Sequence, residues 1–446
     1  MPSGGGLLQL VAQGKQDVFL TGNPQVTWFK MVYRRYTNFA IESQAIFFDG
    51  DPDFGKRLTC TIPRRGDLLG PLILEITLPE VRLTDNSLTA YVNSIGHALI
   101  EEISLEIGEQ EVDKQTGEWL EIWSELTIPP GQREGFNQMI GRVDGTIVPP
   151  TTYPPDTAAA SLYGSYQYGA VKLYIPLQFW FNKNPGLYLP LLAMQYHTIR
   201  INVKLRPLNQ LVYTAGPTNS NQGCTTSLQP IPNKIIDIRL YGDYVHLDVE
   251  ERRRFVANTH EYLIEQVQYT SKISIPAGNT TAIIPLEFNH PLREIAFVLQ
   301  RDAMETYNEW FNFSSTSIQE VGARRDMLQQ AVLQLDGYDR FEIRDAGYFR
   351  FVQPYQHHTN VPTNQFIYTY CFALRPEELQ PSGALNASRI DTMKLLIALR
   401  PDPSLLILPG NPNYVPPRGN SHIRVYATNH NVLRVVNGFA GLLFKI

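Results

Sequence analysis

The sequence predicts an all-β protein of two tandem domains with eight strands each. Three observations carry that expectation. The chain has 446 residues, too many for one ordinary core. Motifs of its first half return in the same order in its second. Its 23 Tyr, 21 Phe and 5 Trp suit pleated, half-buried surfaces, and 32 Pro and 31 Gly are scattered along it, as many short strands separated by turns require.

The repeat is explicit. Leu72-Ile-Leu-Glu-Ile76 follows Ile62-Pro63 and Pro71, and Leu292-Arg-Glu-Ile295 follows Ile284-Pro285 and Pro291. Ser104-Leu-Glu-Ile-Gly108 opens a segment closing at Glu118-Trp-Leu120. Val332-Leu-Gln-Leu-Asp-Gly337 opens one closing at Gly347-Tyr-Phe349. Asp237-Ile-Arg-Leu-Tyr241 is matched by His422-Ile-Arg-Val-Tyr426. The order points to one β-rich domain doubled within the chain.

Residues 1–24 read as a Gly-led arm ending at the turn signal Gly22-Asn-Pro24. Strand-like runs follow at 38–48, 57–64, 71–82, 97–112, 171–181, 189–195, 197–205 and 235–246. That is eight, the number a jelly roll needs. A short helix is expected at 116–126 inside the long connection 113–170, which also holds Val148-Pro-Pro-Thr-Thr-Tyr-Pro-Pro155. The loop 206–234 is polar. The first domain is thus expected over 25–248.

Asp248 followed by Glu251 has the capping-box spacing and opens a helical linker, 249–260. The second domain is expected over 261–446, with strands at 261–275, 281–288, 292–300, 329–344, 365–375, two within 386–400, and 421–427. Long loops fall at 301–328, 345–364 and 401–420. The first copy is longer by roughly 30 residues in the connection 113–170, the kind of place where a kept scaffold tolerates insertion.

Charge and cysteine usage narrow the function. Net charge is −5 with no basic tail or stripe, which disfavours direct nucleic-acid binding. Charged residues are 18%, below the roughly 25% of a soluble domain, which fits a chain that buries its flanks against neighbours. Cys60, Cys224 and Cys371 are too few and too far apart for a disulfide framework, and a reducing cytosol is expected for folding. No secretory signal or bilayer-spanning run is visible.

No local motif completes a chemistry. Gly50-Asp-Pro-Asp-Phe-Gly-Lys56 has phosphate-loop spacing, but Arg57 stands where Ser or Thr should meet magnesium and a strand follows. A hairpin turn explains it better. Asp49, Asp51 and Asp53 alternate as in a calcium loop, yet Phe54 and Cys60 replace the required Gly and Glu. His260-Glu261 lacks the second His of a zinc protease, since position 264 is Ile. His357-His358 reads as a surface pair, and Arg252-Arg-Arg254 as a salt-bridged helix face. Sequons stand at Asn279, Asn312 and Asn386. No catalytic residue, cofactor site or metal site is expected.

The N-terminal stretch Gln16-Asp-Val-Phe-Leu-Thr-Gly-Asn-Pro-Gln-Val-Thr-Trp-Phe-Lys30, with Val32-Tyr-Arg-Arg-Tyr-Thr-Asn-Phe-Ala-Ile-Glu42, resembles the major capsid proteins of large icosahedral nucleocytoplasmic DNA viruses, especially the chlorella-virus type. Asn184-Pro-Gly-Leu-Tyr-Leu-Pro190, Gln195-Tyr-His197, His260-Glu-Tyr-Leu-Ile-Glu-Gln266, Gln380-Pro-Ser-Gly383, Asn386-Ala-Ser-Arg-Ile-Asp391 and Asn429-His-Asn-Val-Leu-Arg434 extend the likeness over nearly the whole chain.

The resemblance implies a double jelly roll with short helices in its loops and linker. It implies a homotrimer of near-hexagonal outline that tiles an icosahedral shell beside other capsomers and minor capsid proteins. The protein would reside in the virion, after synthesis and assembly in the host cytoplasm, and would meet an inner membrane only through minor proteins. By the same analogy the arm 1–30 lies on the inner side of the shell, with Trp28, Phe29, Tyr33 and Tyr36 as candidate assembly contacts. A minor capsid protein of the same fold and a jelly-roll carbohydrate-binding module are the alternatives. A cupin-like metalloenzyme fits less well, because no spaced pair of ligands repeats between the copies.

Overall fold

Alternating burial marks out the strands of the computed structural model, which describes residues 4–81, 90–142, 170–213, 233–317, 324–400 and 419–444. Residues 1–38 form one unit and 39–446 another. In the first, short helices span Gly5–Val11 and Asp17–Thr21 and bury none of their side chains.

The second unit holds two β-sandwiches. The strands of the first sandwich are β1 (Phe39–Ile46), β2 (Arg57–Thr61), β3 (Leu68–Leu78), β4 (Ile100–Ile107), β5 (Gln110–Thr116), β6 (Val171–Pro176), β7 (Ile199–Leu205) and β8 (Asp237–Leu247). They form two antiparallel sheets, ordered β1-β8-β3-β6 and β2-β7-β4-β5. Along β3 the residues Leu72, Leu74, Ile76 and Leu78 point into the core, and the residues between them are only half-buried. This is the period of two expected when one sheet face is covered.

The second sandwich repeats the plan. Its strands are β9 (His260–Tyr269), β10 (Thr281–Pro285), β11 (Pro291–Arg301), β12 (Leu328–Leu335), β13 (Tyr338–Asp339), β14 (Ile367–Cys371), β15 (Met393–Leu399) and β16 (Ser421–Val436). The sheets run β9-β16-β11-β14 and β10-β15-β12-β13. Adding eight to each label of the first sandwich gives the second. Short strands extend the edges: Ile273–Ile275 and Phe439–Leu442 pair with β16, Leu385–Asn386 with β11, and Arg344–Asp345 with β12.

Several expected strands fall differently. The run 97–112 is the end of a short helix, Ile95–Leu99, then β4, then the start of β5, with the hairpin turn at Gly108 in the left-handed region (φ 68°). The run 189–195 is a 3-10 turn at Leu191–Ala193, with a single bridge between Leu69 and Leu189. The count of eight therefore holds with a different membership. The run 329–344 also splits. Asp336 and Gly337 both take positive φ (49° and 84°), as a two-residue type I′ hairpin loop demands. Strand β16 continues past 427 through Thr428-Asn-His-Asn431, whose polar side chains interrupt the hydrophobic pattern but are buried; Thr428, Asn429 and Asn431 are bonded, Asn431 Nδ2 donating to Gln266 Oε1 at 2.9 Å.

Antiparallel alternation sends every connection that leaves an odd-numbered strand to the same end of its sandwich. The connections 79–99, 117–170, 206–236, 302–327, 340–366 and 400–420 are of this kind, whereas 177–198 and 372–392 leave even-numbered strands. Strand β1 starts at the opposite end. The longer helices are α1 (Gly117–Thr127), α2 (Pro130–Ile140) and α3 (Val249–Ala257). On α3 the Asp248 carboxylate accepts from Val249 N at 2.7 Å, and Arg252 pairs with Asp67 in the β2–β3 connection at 2.8 Å.

Candidate assembly site: the seam between the sandwiches

Strand β11 is buried at ten successive positions after Pro291, unlike the alternating β3. A strand loses its alternation when both sheet faces are covered. Ile295, Phe297 and Leu299, with Ile423, Val425 and Ala427 of β16, fill the second sandwich's own core. Ala296 and Val298, with Tyr426 and Ile264, join the apolar cluster of the first sandwich instead.

The cover is β5 and α1. Thr116 caps α1 by accepting from Trp119 N at 3.2 Å. Gly117 lets the helix leave the strand abruptly, because a Cβ there would lie 2.2 Å from the carbonyl oxygens of His97 and Ile100. The turn delivers Trp119 to within 5.4 Å of the Tyr426 ring. The Tyr426 hydroxyl donates to Glu118 at 2.9 Å, and Arg424 reaches the same carboxylate at 2.7 Å. Burial works to raise the Glu118 pKa, but the charges of Arg424, Lys272 and Arg206 together with the Tyr426 hydrogen bond outweigh it and the net shift is downward.

Backbone bonds finish the join. Val267 N donates to Asp113 at 3.0 Å, and the Gln266 amide donates to the Val112 carbonyl. Asn360 gives its backbone N–H to the Leu126 carbonyl at 2.9 Å and its side-chain amide to the Glu125 carbonyl at 2.8 Å. At the long-loop end, Asn308 donates to the carbonyls of Asn209 and Val212, and the Arg206 guanidinium stacks 4.2 Å from the Trp310 ring. At the other end Tyr196 N donates to Gly438 O at 3.1 Å.

One seam group carries a pH dependence. Glu265 of the second sandwich pairs with Lys183 of the first at 2.7 Å and with buried Arg293 at 2.8 Å. Burial pushes its carboxyl up, yet the charges of Lys183 and Arg293 overwhelm that and hold it at about 2, below the ordinary 4.5. A depressed carboxylate stabilises fully above its unfolded pKa and loses that contribution as pH falls through its folded one. Stability worth about 3 kcal/mol is therefore lost between pH 4.5 and 2. Melting curves of wild type and Glu265→Gln across that window check this; the variant's Tm should depend less on pH.

The corresponding surfaces of the second sandwich lack this cover among the described residues. In the connection after β13, which corresponds to the one that holds α1 in the first copy, the helical turns are Tyr348–Val352 and Gln353–His357. There Phe351 is 42% exposed and Tyr355 81%, and Tyr338, Ile343 and Val352 are exposed too. In the first sandwich, the outer face of β8, β3 and β6 is the counterpart of the face that α1 covers. Among the described residues no helix covers it: Lys172 and Tyr174 are exposed, and Ile73, Glu75, Thr77, Arg239 and Tyr241 are half-buried.

The residues singled out from sequence scatter. Trp28 and Phe29 are 89% and 97% exposed within the N-terminal unit, and Tyr33 and Tyr36 are exposed as well. Asn279 and Asn386 are open to solvent. Asn312 is buried, its amide donating to Glu309 at 2.6 Å and to the Thr316 carbonyl at 3.1 Å, so the fold leaves no room for a glycan there. A sequon carries no information about burial.

The 50–56 loop is a turn leading into β2, with Asp51 paired to Lys234 at 2.8 Å. Cys60 is buried, and Cys224 lies outside the described residues. His260 bonds the Phe255 carbonyl at 2.7 Å. His358, read from sequence as a surface residue, has a fully buried side chain against Glu294 and Cys371.

Two stacked sandwich plans with identical strand order, joined through one continuous cluster, define a double jelly roll. Residues 27–248 match the model for the major capsid protein N-terminus, and 251–441 match that for large eukaryotic DNA virus major capsid proteins. The chain belongs to the family of major capsid proteins of large eukaryotic DNA viruses. The major capsid protein of Pyramimonas orientalis virus is 38% identical, covering 99% of this chain and 100% of that one. That of Paramecium bursaria Chlorella virus 1 is 35% identical over 99% of each. The solved structure of PBCV-1 VP54 superposes with a TM-score of 0.74 at 29% identity, covering 94% of this chain and 100% of that one. Faustovirus major capsid protein shares the fold, with a TM-score of 0.73 at 13% identity, covering 95% of this chain and 94% of that one.

Proposed function

We propose that three copies of this chain close into a homotrimeric capsomer of near-hexagonal outline that tiles an icosahedral shell. It acts by packing, with no catalysis and no cofactor in the reaction sense. The observation that carries this reading is the seam and its unfilled counterpart. Within the chain, α1 and β5 of the first sandwich cover the outer face of β11 and β16. The same elements of the second sandwich expose Phe351 and Tyr355, and the first sandwich leaves its own receiving face open.

Repeating the internal join between chains gives a head-to-tail interface, and such an interface makes a ring when its rotation closes. Three doubled wedges supply six similar wedges. Six long connections leave odd-numbered strands and so share one end of each sandwich, where they can vary without disturbing the sheets. The arm would meet neighbouring or minor capsid proteins on the inner side of the shell through Trp28, Phe29, Tyr33 and Tyr36. Any approach to an inner membrane would go through those partners. Such a chain works in the virion, after assembly in the host cytoplasm.

Native mass and shell assembly, measured on the full chain and on a 1–30 deletion, test this. The full chain should sediment at three times its 50.7 kDa mass and the deletion at three times its own smaller mass, and only the full chain should support shells. A monomeric full chain overturns the capsomer. Normal shells from the deletion overturn the role of the arm.

A further inference from the structure

The seam-side face of the second sandwich carries a group that packing alone does not require. Glu294 on β11 stands directly opposite Cys371 on edge strand β14. Cross-strand partners bring their Cβ atoms about 4.5–5.5 Å apart, so two donors at such a pair converge without any local sequence motif. The turn after Gln353–His357 lays His358 over them.

The donor atoms form a tight triangle. His358 Nε2 lies 3.0 Å from Glu294 Oε2 and 3.6 Å from Cys371 Sγ, and Sγ lies 3.8 Å from Glu294 Oε2. All three residues are buried. Zinc bonds of about 2.3 Å to sulfur and 2.1 Å to nitrogen and oxygen, at tetrahedral angles, place such donors about 3.4–3.6 Å apart. The triangle brackets that spacing.

The outer contacts match those of a metal-bound histidine. His358 Nδ1 faces Glu377 Oε1 at 3.0 Å, so a proton held on Nδ1 would leave the Nε2 lone pair directed inward. A carboxylate behind the ligating imidazole fixes its tautomer and raises its basicity. The Thr359 amide donates to the same Glu377 oxygen at 2.9 Å. The second oxygen of Glu294 accepts from Thr428 Oγ1 at 3.1 Å, so its orientation is set too. Cys371 N donates to Gln353 Oε1 at 2.9 Å, holding the strand to the helical turn.

We propose that Glu294, His358 and Cys371 bind one zinc ion, with a water completing the tetrahedron. Binding releases the Cys371 thiol proton and any proton on His358 Nε2, while the Nδ1 proton stays with Glu377 as its acceptor. The carboxylate and thiolate charges balance the dication. The ion ties the loop after Gln353–His357 to β11 and β14. Two residues on, Asn360 grips the end of α1, so the clasp sits beside the seam.

The full-length protein, stripped with a chelator and desalted, is the material for the test. Reloading with zinc should return one ion per chain by elemental analysis and raise Tm. Cobalt in its place should give a thiolate-to-cobalt charge-transfer band. Cys371→Ser should lose the stoichiometric zinc, the band and the shift in Tm. A Cys60→Ser/Cys224→Ser control should keep all three. Absence of the cobalt band in wild type overturns the site, and that readout stands even if Cys371→Ser fails to fold. Equal zinc in wild type and a folded Cys371→Ser overturns it as well.

Discussion

Phe351→Glu/Tyr355→Glu should leave the chain folded and its trimer gone. Both side chains are exposed in the single chain, at 42% and 81%, so replacing them removes no core contact. In the ring they would occupy the place that α1 occupies inside the chain, on the open outer face of the next copy's first sandwich. Buried interface aromatics carry about 2–4 kcal/mol each, and a carboxylate forced into an apolar contact adds its desolvation cost. A loss of about 4–8 kcal/mol is roughly three to six decades in Kd. At micromolar concentration that is the difference between trimer and monomer. Sedimentation velocity reads the mass and circular dichroism the fold. Tyr174→Glu, on the receiving face, should act the same way, whereas Val256→Glu on α3 should keep the trimer. If the double variant sediments as wild type, the ring is not built by repeating the internal seam.

Much of this architecture was legible in the chain. The paired motifs at 72–76 and 292–295, and at 237–241 and 422–426, fall on β3 and β11 and on β8 and β16, which are neighbours in their sheets. The seam had a signal as well. Leu74-Glu-Ile-Thr-Leu78 alternates, while Ile295-Ala-Phe-Val-Leu299 does not, and an unbroken apolar run marks a strand covered on both faces. The hairpin at Gly108 was hidden because a lone glycine, with no Pro, Asn or Asp beside it, is its only turn signal. Residues 189–195 have the composition of a strand, but Pro190 and the turn at Leu191–Ala193 keep them out of the sheet. The Glu294–His358–Cys371 group had no signal at all. Its members are far apart in sequence, and only the register of β11 against β14 makes two of them neighbours.

The second large effect is expected at Glu118. This carboxylate is buried at the root of α1 and takes bonds from Arg424 and the Tyr426 hydroxyl, both on the other sandwich. Glu118→Ala strands Arg424 in a site only 16% open, and removal of one partner from a buried pair costs about 3–5 kcal/mol. Removing both charges is different, because an apolar pair of similar volume often matches or exceeds the ion pair it replaces. Glu118→Leu/Arg424→Met should therefore unfold at higher denaturant than either single variant. That ordering separates a paired charge from mere volume, since a cavity effect alone would make the double variant the least stable. The consequence reaches assembly. In a ring built from three doubled wedges, the angle set at this seam is repeated three times, and an error in it accumulates at the closing contact. Glu118→Ala should lower trimer yield even under conditions where each sandwich keeps its spectrum. A full trimer yield together with a lowered denaturation midpoint would instead make Glu118 a stabiliser with no part in closing the ring.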